Sequence, residues 1–195
     1  MPNEIGGTSM RLRKREVRDV EMLRAIVEAC KVVHIGCIDE EGVFVVPMSF
    51  GYEWSMATEN ATCGGGIAAG DEADNVVPGT GTEAEAHLTL WLHCAAEGRK
   101  ARAWAENPHV AIEMDCEDGL ITGDFACAYS YAFRSIMGTG TLTPVTSPAE
   151  KRRGLTRIME HIAPGSPISY SDQSIERVAV WRLDVERFTG KLRRA

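Results

Sequence analysis

The run Leu92-His93-Cys94-Ala95-Ala96-Glu97-Gly98-Arg99-Lys100 holds the densest set of groups able to do chemistry in this 195-residue chain. The apolar residues before His93 predict a strand, the small residues after it a turn, and Gly98-Arg99-Lys100 the opening of a helix over 98–107. A helix start presents unpaired N–H groups and positive potential, and two adjacent cations add charge-assisted donors. That combination suits a phosphate monoester. An ordinary solvated helix start carrying surface cations reads the same way. His93, at the end of its strand, could touch a planar cofactor or supply a proton; a half-buried histidine satisfied by backbone is the alternative.

Other groupings carry less. His93 and Cys94 point to opposite faces of a regular strand, so with His87 they do not converge on a cation, and no metal site is expected. Gly64-Gly65-Gly66 lacks the lysine of a phosphate-binding loop, and no serine sits in a G-x-S-x-G elbow. The six cysteines contain no C-x-x-C pair and read as reduced, buried thiols, none with a partner marking it as a nucleophile. Arg11, Arg13, Lys14, Arg15 and Arg18 alternate with Leu12 and Val17 and lack interleaved aromatics. They predict a solvated edge strand, and no nucleic-acid partner is expected.

The elements that must position these residues are mostly strands. Asp19 is a candidate N-cap for a helix on which Val20, Leu23, Ile26, Val27 and Cys30 recur at helical spacing. Strands are predicted over 32–39 and 43–50, joined by Glu40-Glu41-Gly42, with Pro47 demanding an edge, a bulge or a strand end. An interrupted ladder leaves backbone groups free to meet a ligand. Further strands are predicted over 88–94, 110–116, 125–133, 135–145 and 178–188, and Gly138 and Gly140 suggest close approach by a backbone or a planar ligand. Ser147-Pro148 opens a helix to about Ile162, and Ser171 or Asp172 caps a last short one. About seven strands, mostly consecutive, with a few peripheral helices favour an antiparallel, Greek-key-like barrel over a doubly wound parallel sheet.

Charge locates the unusual part of the chain. The net charge is −7, from 28 acidic and 21 basic residues. Seven of the acids, and no Lys or Arg, lie in 53–87, a Gly-rich stretch read as a long loop or insertion; the remainder is neutral. Residues 1–9 read as a flexible tail and 10–195 as a single domain. No secretory leader and no span of roughly 20 apolar residues is visible, which predicts a cytoplasmic protein without a membrane partner.

As a set, 11–17, Gly36-Cys37-Ile38-Asp39, 46–52, 93–100, Asn107-Pro108-His109-Val110, 134–138 and Thr189-Gly190-Lys191 resemble the nitroimidazole-resistance branch of the FMN-binding split-barrel proteins, relatives of the pyridoxamine 5'-phosphate oxidases. The resemblance implies a split β-barrel homodimer with FMN in a groove at the dimer interface. By matching position, Val46, Pro47, Met48 and Ser49 would run along the flavin and Arg99 and Lys100 would hold its phosphate. His93 would lie close to the flavin as the catalytic candidate, and Ser135 would line the site. The implied function is an FMN-dependent oxidoreductase that passes electrons from a reduced nicotinamide to a nitro compound, a quinone or another small acceptor. A split barrel storing or sensing flavin or haem, and a deazaflavin-dependent reductase, are the alternatives. The family usually joins its Phe-Gly-Tyr strand to the histidine strand by a short turn where this chain carries 53–87, and the chain lacks the Arg-Leu-x-Pro ending of the vitamin oxidases, so pyridoxamine phosphate is not the expected substrate.

Overall fold

The computed structural model describes residues 13–56 and 86–195. The tail expected over 1–9 and most of the 53–87 stretch lie outside the described residues. After a 3₁₀ turn at Arg13–Arg15 come β1 (Glu16–Val17), α1 (Val20–Ala29), β2 (Val32–Asp39), β3 (Gly42–Ser49) and β4 (Gly51–Met56). Then follow β5 (Ala86–Cys94), α2 (Arg99–Glu106), β6 (His109–Ile121), β7 (Ser130–Val145), α3 (Pro148–Ile162), α4 (Asp172–Arg177) and β8 (Ala179–Arg193).

Local chemistry explains where the helices begin. The Asp19 carboxylate accepts from the Met22 N–H at 2.7 Å, and Ser147 accepts from Glu150 ahead of Pro148. Ser171 caps α4. Each cap satisfies N–H groups that a helix start leaves without partners.

The strands form one antiparallel sheet in the order β3-β2-β6-β7-β8-β5-β4, with β1 paired to β8. The two ends of that order, β3 and β4, are consecutive in the chain and separated only by Phe50. Two residues span about 7 Å, so the opposite edges of the sheet must curl together, which makes the sheet a barrel with a seam at Phe50. Inside lie Val33, Ile35, Met48, Phe50, Leu88, Leu90, Leu92, Ile112, Met114, Ile136 and Leu183, all buried. Burial of a side chain of this size contributes about 1.5–3 kcal/mol.

Helix α3 packs over β4 beside the seam. A Cβ on Gly51 would lie 2.3 Å from the Arg157 carbonyl carbon and from the Ile158 nitrogen, so only glycine admits the helix at this distance. His161 near the end of α3 is buried, with Nδ1 2.8 Å from the Phe50 oxygen and Nε2 3.1 Å from the Glu28 oxygen. It therefore ties α3 to both the seam and the last turn of α1.

Several boundaries differ from the sequence expectation. Residues 53–56 and 86–87, taken for the ends of an insertion, are strand: Glu53 pairs with Thr89 and Met56 with Ala86. The strands expected over 125–133 and 135–145 are one strand, β7, preceded by a 3₁₀ turn at Ala126–Ala128. The last strand runs on through Thr189-Gly190-Lys191 to Arg193, because β7 pairs with it all the way to Phe133. Gly138 and Gly140 meet a backbone: added Cβ atoms would lie 2.4 Å from the Arg187 and Asp184 oxygens of β8. Of the described cysteines Cys30 and Cys37 are buried, Cys94 and Cys116 half-buried, and Cys127 exposed, so the expectation of burial throughout fails at Cys127. Among its described residues the basic run gives a 3₁₀ turn and the two-residue strand β1, at the flank of β8.

Candidate functional site

The start of α2 is held against the β2–β3 hairpin from both ends of the helix. Trp104 is buried and donates its Nε1–H to the Cys37 sulfur at 3.1 Å, with an edge contact to Trp181 at 5.4 Å between centroids. At the other end Arg99 donates Nε–H and Nη2–H to the two Asp39 oxygens at 2.6 and 2.8 Å, and its guanidinium lies 4.3 Å over the Phe44 ring. The Arg99 fork holds the Asp39 carboxyl below the usual carboxylate range, helped by the backbone N–H of Glu41. Arg99 is thus a clasp on the hairpin, its Nη1 lying also 3.4 Å from a Glu41 oxygen.

Lys100, half-buried, points the other way. Its Nζ donates to the Met48 sulfur of β3 at 3.3 Å, and no carboxylate partner is found among the described residues. Its charge reaches back to Cys94 at the end of β5, where burial pushes the thiol up and Lys100 partly opposes it. Gly98 caps α2 at φ 121°, a conformation suited to glycine, without a side-chain hydrogen bond, and the first turn contains no acid. An uncapped helix start with an unpaired ammonium beside it is a ready anion site.

Strand β3 is a sheet edge, so one row of its backbone groups has no strand partner among the described residues. Pro47, opposite His34, sits where its missing N–H costs no ladder bond. Val46 and Met48 face the core, whereas Pro47 and Ser49 are exposed on the outer face. The structure therefore joins Met48 to Lys100 and leaves Pro47 and Ser49 on the surface beyond them. His93 is exposed at the end of β5, paired with Val180. Ser135 is buried on β7, three strands away from β3 with β2 and β6 between, and pairs with Asp115 and Lys191.

The outer face also carries residues that sequence reading passed over. Pro47, His34, Glu113 and Met137 form one cross-strand row. His34 Nδ1 lies 3.1 Å from a Glu113 oxygen, and the donor atoms of His34, Glu113 and Asp115 all fall within 4.8 Å of one another. Burial and the neighbouring Asp115 push the Glu113 carboxyl up, against the pull of His34. No sequence signal marks this group, since His34 and Glu113 are 79 residues apart. The described helices include none long and apolar enough to cross a membrane.

A family model described as pyridoxamine 5'-phosphate oxidase matches residues 19–192. The chain belongs to this family. No curated protein matches the sequence. Among solved structures, the family chain is similar to a protein assigned to 5-nitroimidazole antibiotic resistance from Bacteroides thetaiotaomicron VPI-5482, at 28% identity and TM-score 0.64, covering 90% of this chain and 85% of that one. It is similar also to the flavocytochrome Anf3 from Azotobacter vinelandii, at 22% identity and TM-score 0.68, covering 96% and 73%. A FAD- and heme-binding protein from Mycobacterium smegmatis matches at 16% identity and TM-score 0.68, covering 93% and 74%. At these last two identities the likeness concerns the fold alone.

Proposed function

We propose that this member of the family binds FMN and acts as an oxidoreductase, passing electrons from a reduced nicotinamide to a small acceptor such as a nitro compound or a quinone. The observation that carries the reading is the start of α2: an N-terminus without cap or acid, with the Lys100 ammonium unpaired by any described carboxylate beside the edge strand β3. The residues present fit the group. Lys100 and the N–H groups of the first turn suit its phosphate, and Arg99 adds the donors it does not use on Asp39 and Glu41. The open backbone edge at 46–49, with Pro47 and Ser49 outward, suits a planar ring and a polyol chain. The family resemblance adds Ser135 and His93 to the set, His93 as the group that contacts the ring or moves a proton at the acceptor.

Bound there, FMN supplies the electron transfer. The chain supplies an anchor for the phosphate, a strand to orient the ring and, at His93, an imidazole that can pass a proton. The outer face supports a homodimer that encloses this site, because Val43, Val45, Ile38 and Met137 stand 78%, 61%, 49% and 57% exposed on β3, β2 and β7. The similarity to a nitroimidazole-resistance protein supports the choice of acceptor.

The test is the visible spectrum of the purified protein, followed by FMN titration and nicotinamide-dependent reduction of a nitroaromatic and a quinone. A yellow protein, or a colourless one that takes up stoichiometric FMN, is expected. A colourless protein that takes up none overturns the reading, and a haem Soret band would replace it with the haem-binding alternative.

A further inference from the structure

The thiols of Cys30 and Cys116 meet although they are 86 residues apart: their sulfurs are 3.3 Å from each other. Cys30 is the C-cap of α1, its own N–H donating to the Ile26 oxygen, and Cys116 lies on β6 just before the bulge at Glu117/Gly119. Both side chains pack in the same hydrophobic cluster at one end of the barrel. We propose that Cys30 and Cys116 form an oxidisable dithiol site, converted by a hydroperoxide into a reversible disulfide that fastens α1 to β6. The site is separate from the α2 start and does not depend on the flavin reading.

The two cysteines are unequal in a way that assigns their roles. Cys116 is half-buried, cross-strand from Arg134 on β7, whose guanidinium is forked onto Asp118, and so has the route to solvent that Cys30 lacks. Cys30 is 1% exposed, and burial together with the Cys116 thiol pushes it up strongly. Asp115 and Arg134 are the charged groups that bear on it, the first raising and the second lowering it. Cys116 is therefore the sulfur that meets oxidant, and Cys30 the one that resolves it.

The chemistry balances without any group beyond the peroxide. The Cys116 thiolate attacks one peroxide oxygen, the O–O bond breaks, and Cys116 becomes a sulfenic acid while the other oxygen leaves as water after taking a proton. The Cys30 sulfur then attacks the Cys116 sulfur, the S–O bond breaks, and the hydroxyl leaves as water with the Cys30 proton. Two thiols and one hydrogen peroxide give one disulfide and two waters. The sulfurs close by about 1.3 Å to reach bonding distance, and the thiols are already in contact.

The experiment uses the full-length protein, reduced, desalted and exposed to a small excess of hydrogen peroxide. Free thiols are then alkylated under denaturing conditions and the peptides mapped by mass. The expected result is a Cys30–Cys116 cross-linked peptide, two mass units below the sum of its reduced parts, abolished by dithiothreitol. Recovery of both cysteines as free alkylated thiols overturns the proposal. So does a link from Cys116 to a different cysteine, or its conversion to sulfinic acid while Cys30 stays free. In Cys30→Ser the resolving sulfur is gone, so labelling of Cys116 by a sulfenic-acid probe is expected to rise at least threefold over the wild type; no rise overturns the assigned roles. Should that variant not fold, Cys30→Ala serves, and the wild-type peptide map decides the pairing alone.

Discussion

Lys100 and Arg99 are neighbours in sequence with different work. Arg99 spends its fork on Asp39 and holds the hairpin, whereas Lys100 is left beside a sulfur that cannot neutralise it. Lys100→Glu removes a charge-assisted donor and adds repulsion, so FMN affinity is expected to fall by more than about 1.4 kcal/mol, or tenfold, in a fluorescence titration. An unchanged affinity would place the phosphate elsewhere. His93 gives a contrasting expectation, because a group that moves a proton affects turnover more than binding. His93→Ala is expected to lower nicotinamide-dependent turnover by about a hundredfold with FMN binding within threefold of the wild type; equal loss of both would make His93 a binding residue only. The cationic helix start and the strand-end histidine were legible because each depends on a few adjacent residues. The Asp39 clasp and the His34–Glu113 pair were not, since 60 and 79 residues separate their members and only strand pairing brings them together.

Among the elements, α3 is the one whose docking is most exactingly shaped, and it packs over β4 beside the seam. Gly51→Ala would drive a methyl group into the Arg157–Ile158 backbone, which cannot rotate away as a side chain could. A loss of about 2 kcal/mol or more is expected in chemical denaturation, whereas an unchanged midpoint would mean that the helix can lift off freely. The same helix grips β4 through Arg153, with Nη2 2.7 Å from Glu53, and Arg157, with Nε 3.1 Å from it. Burial pushes the Glu53 carboxyl up, but hydrogen bonds from Arg153 and Arg157 overcome this and hold it below its ordinary value. A carboxyl lowered in the fold binds its proton more weakly there than in the unfolded chain. Its stabilising effect is present above the unfolded pKa of about 4.3 and fades as pH falls through the folded value. Glu53→Gln is therefore expected to lower the melting temperature at pH 7 and to flatten the decline below pH 4.5; parallel acid limbs would rule the clamp out. Helix caps such as Asp19 and Ser147 could be read because they are local. The ends of β4, β5 and β8 could not, because partners far along the chain set where those strands stop.

At the scale of the whole molecule, the exposed valines of β3 define an apolar surface on the barrel's outside. Val45→Asp, on the outer row with no packing role inside, is expected to convert a dimer to a monomer in light scattering while the far-ultraviolet circular dichroism stays unchanged. A dimer that survives would move the interface to another face. The antiparallel barrel itself was legible from consecutive alternating strands and turn glycines, while the stagger that sets which faces meet was not. The seam at Phe50 has one more consequence, a matter of phase. Phe44, Val46, Met48, Phe50, Tyr52 and Trp54 all pack toward the core at every second residue, straight through the junction. The two borders of the sheet therefore share a single odd–even count. One residue added at Phe50 would leave the count intact on one side and invert it on the other. Either Val45, Pro47 and Ser49 would turn inward, or Tyr52 and Trp54 would turn out. The strand proposed to carry the cofactor and the strand that receives α3 are thus locked in step, and neither can drift in sequence length without the other.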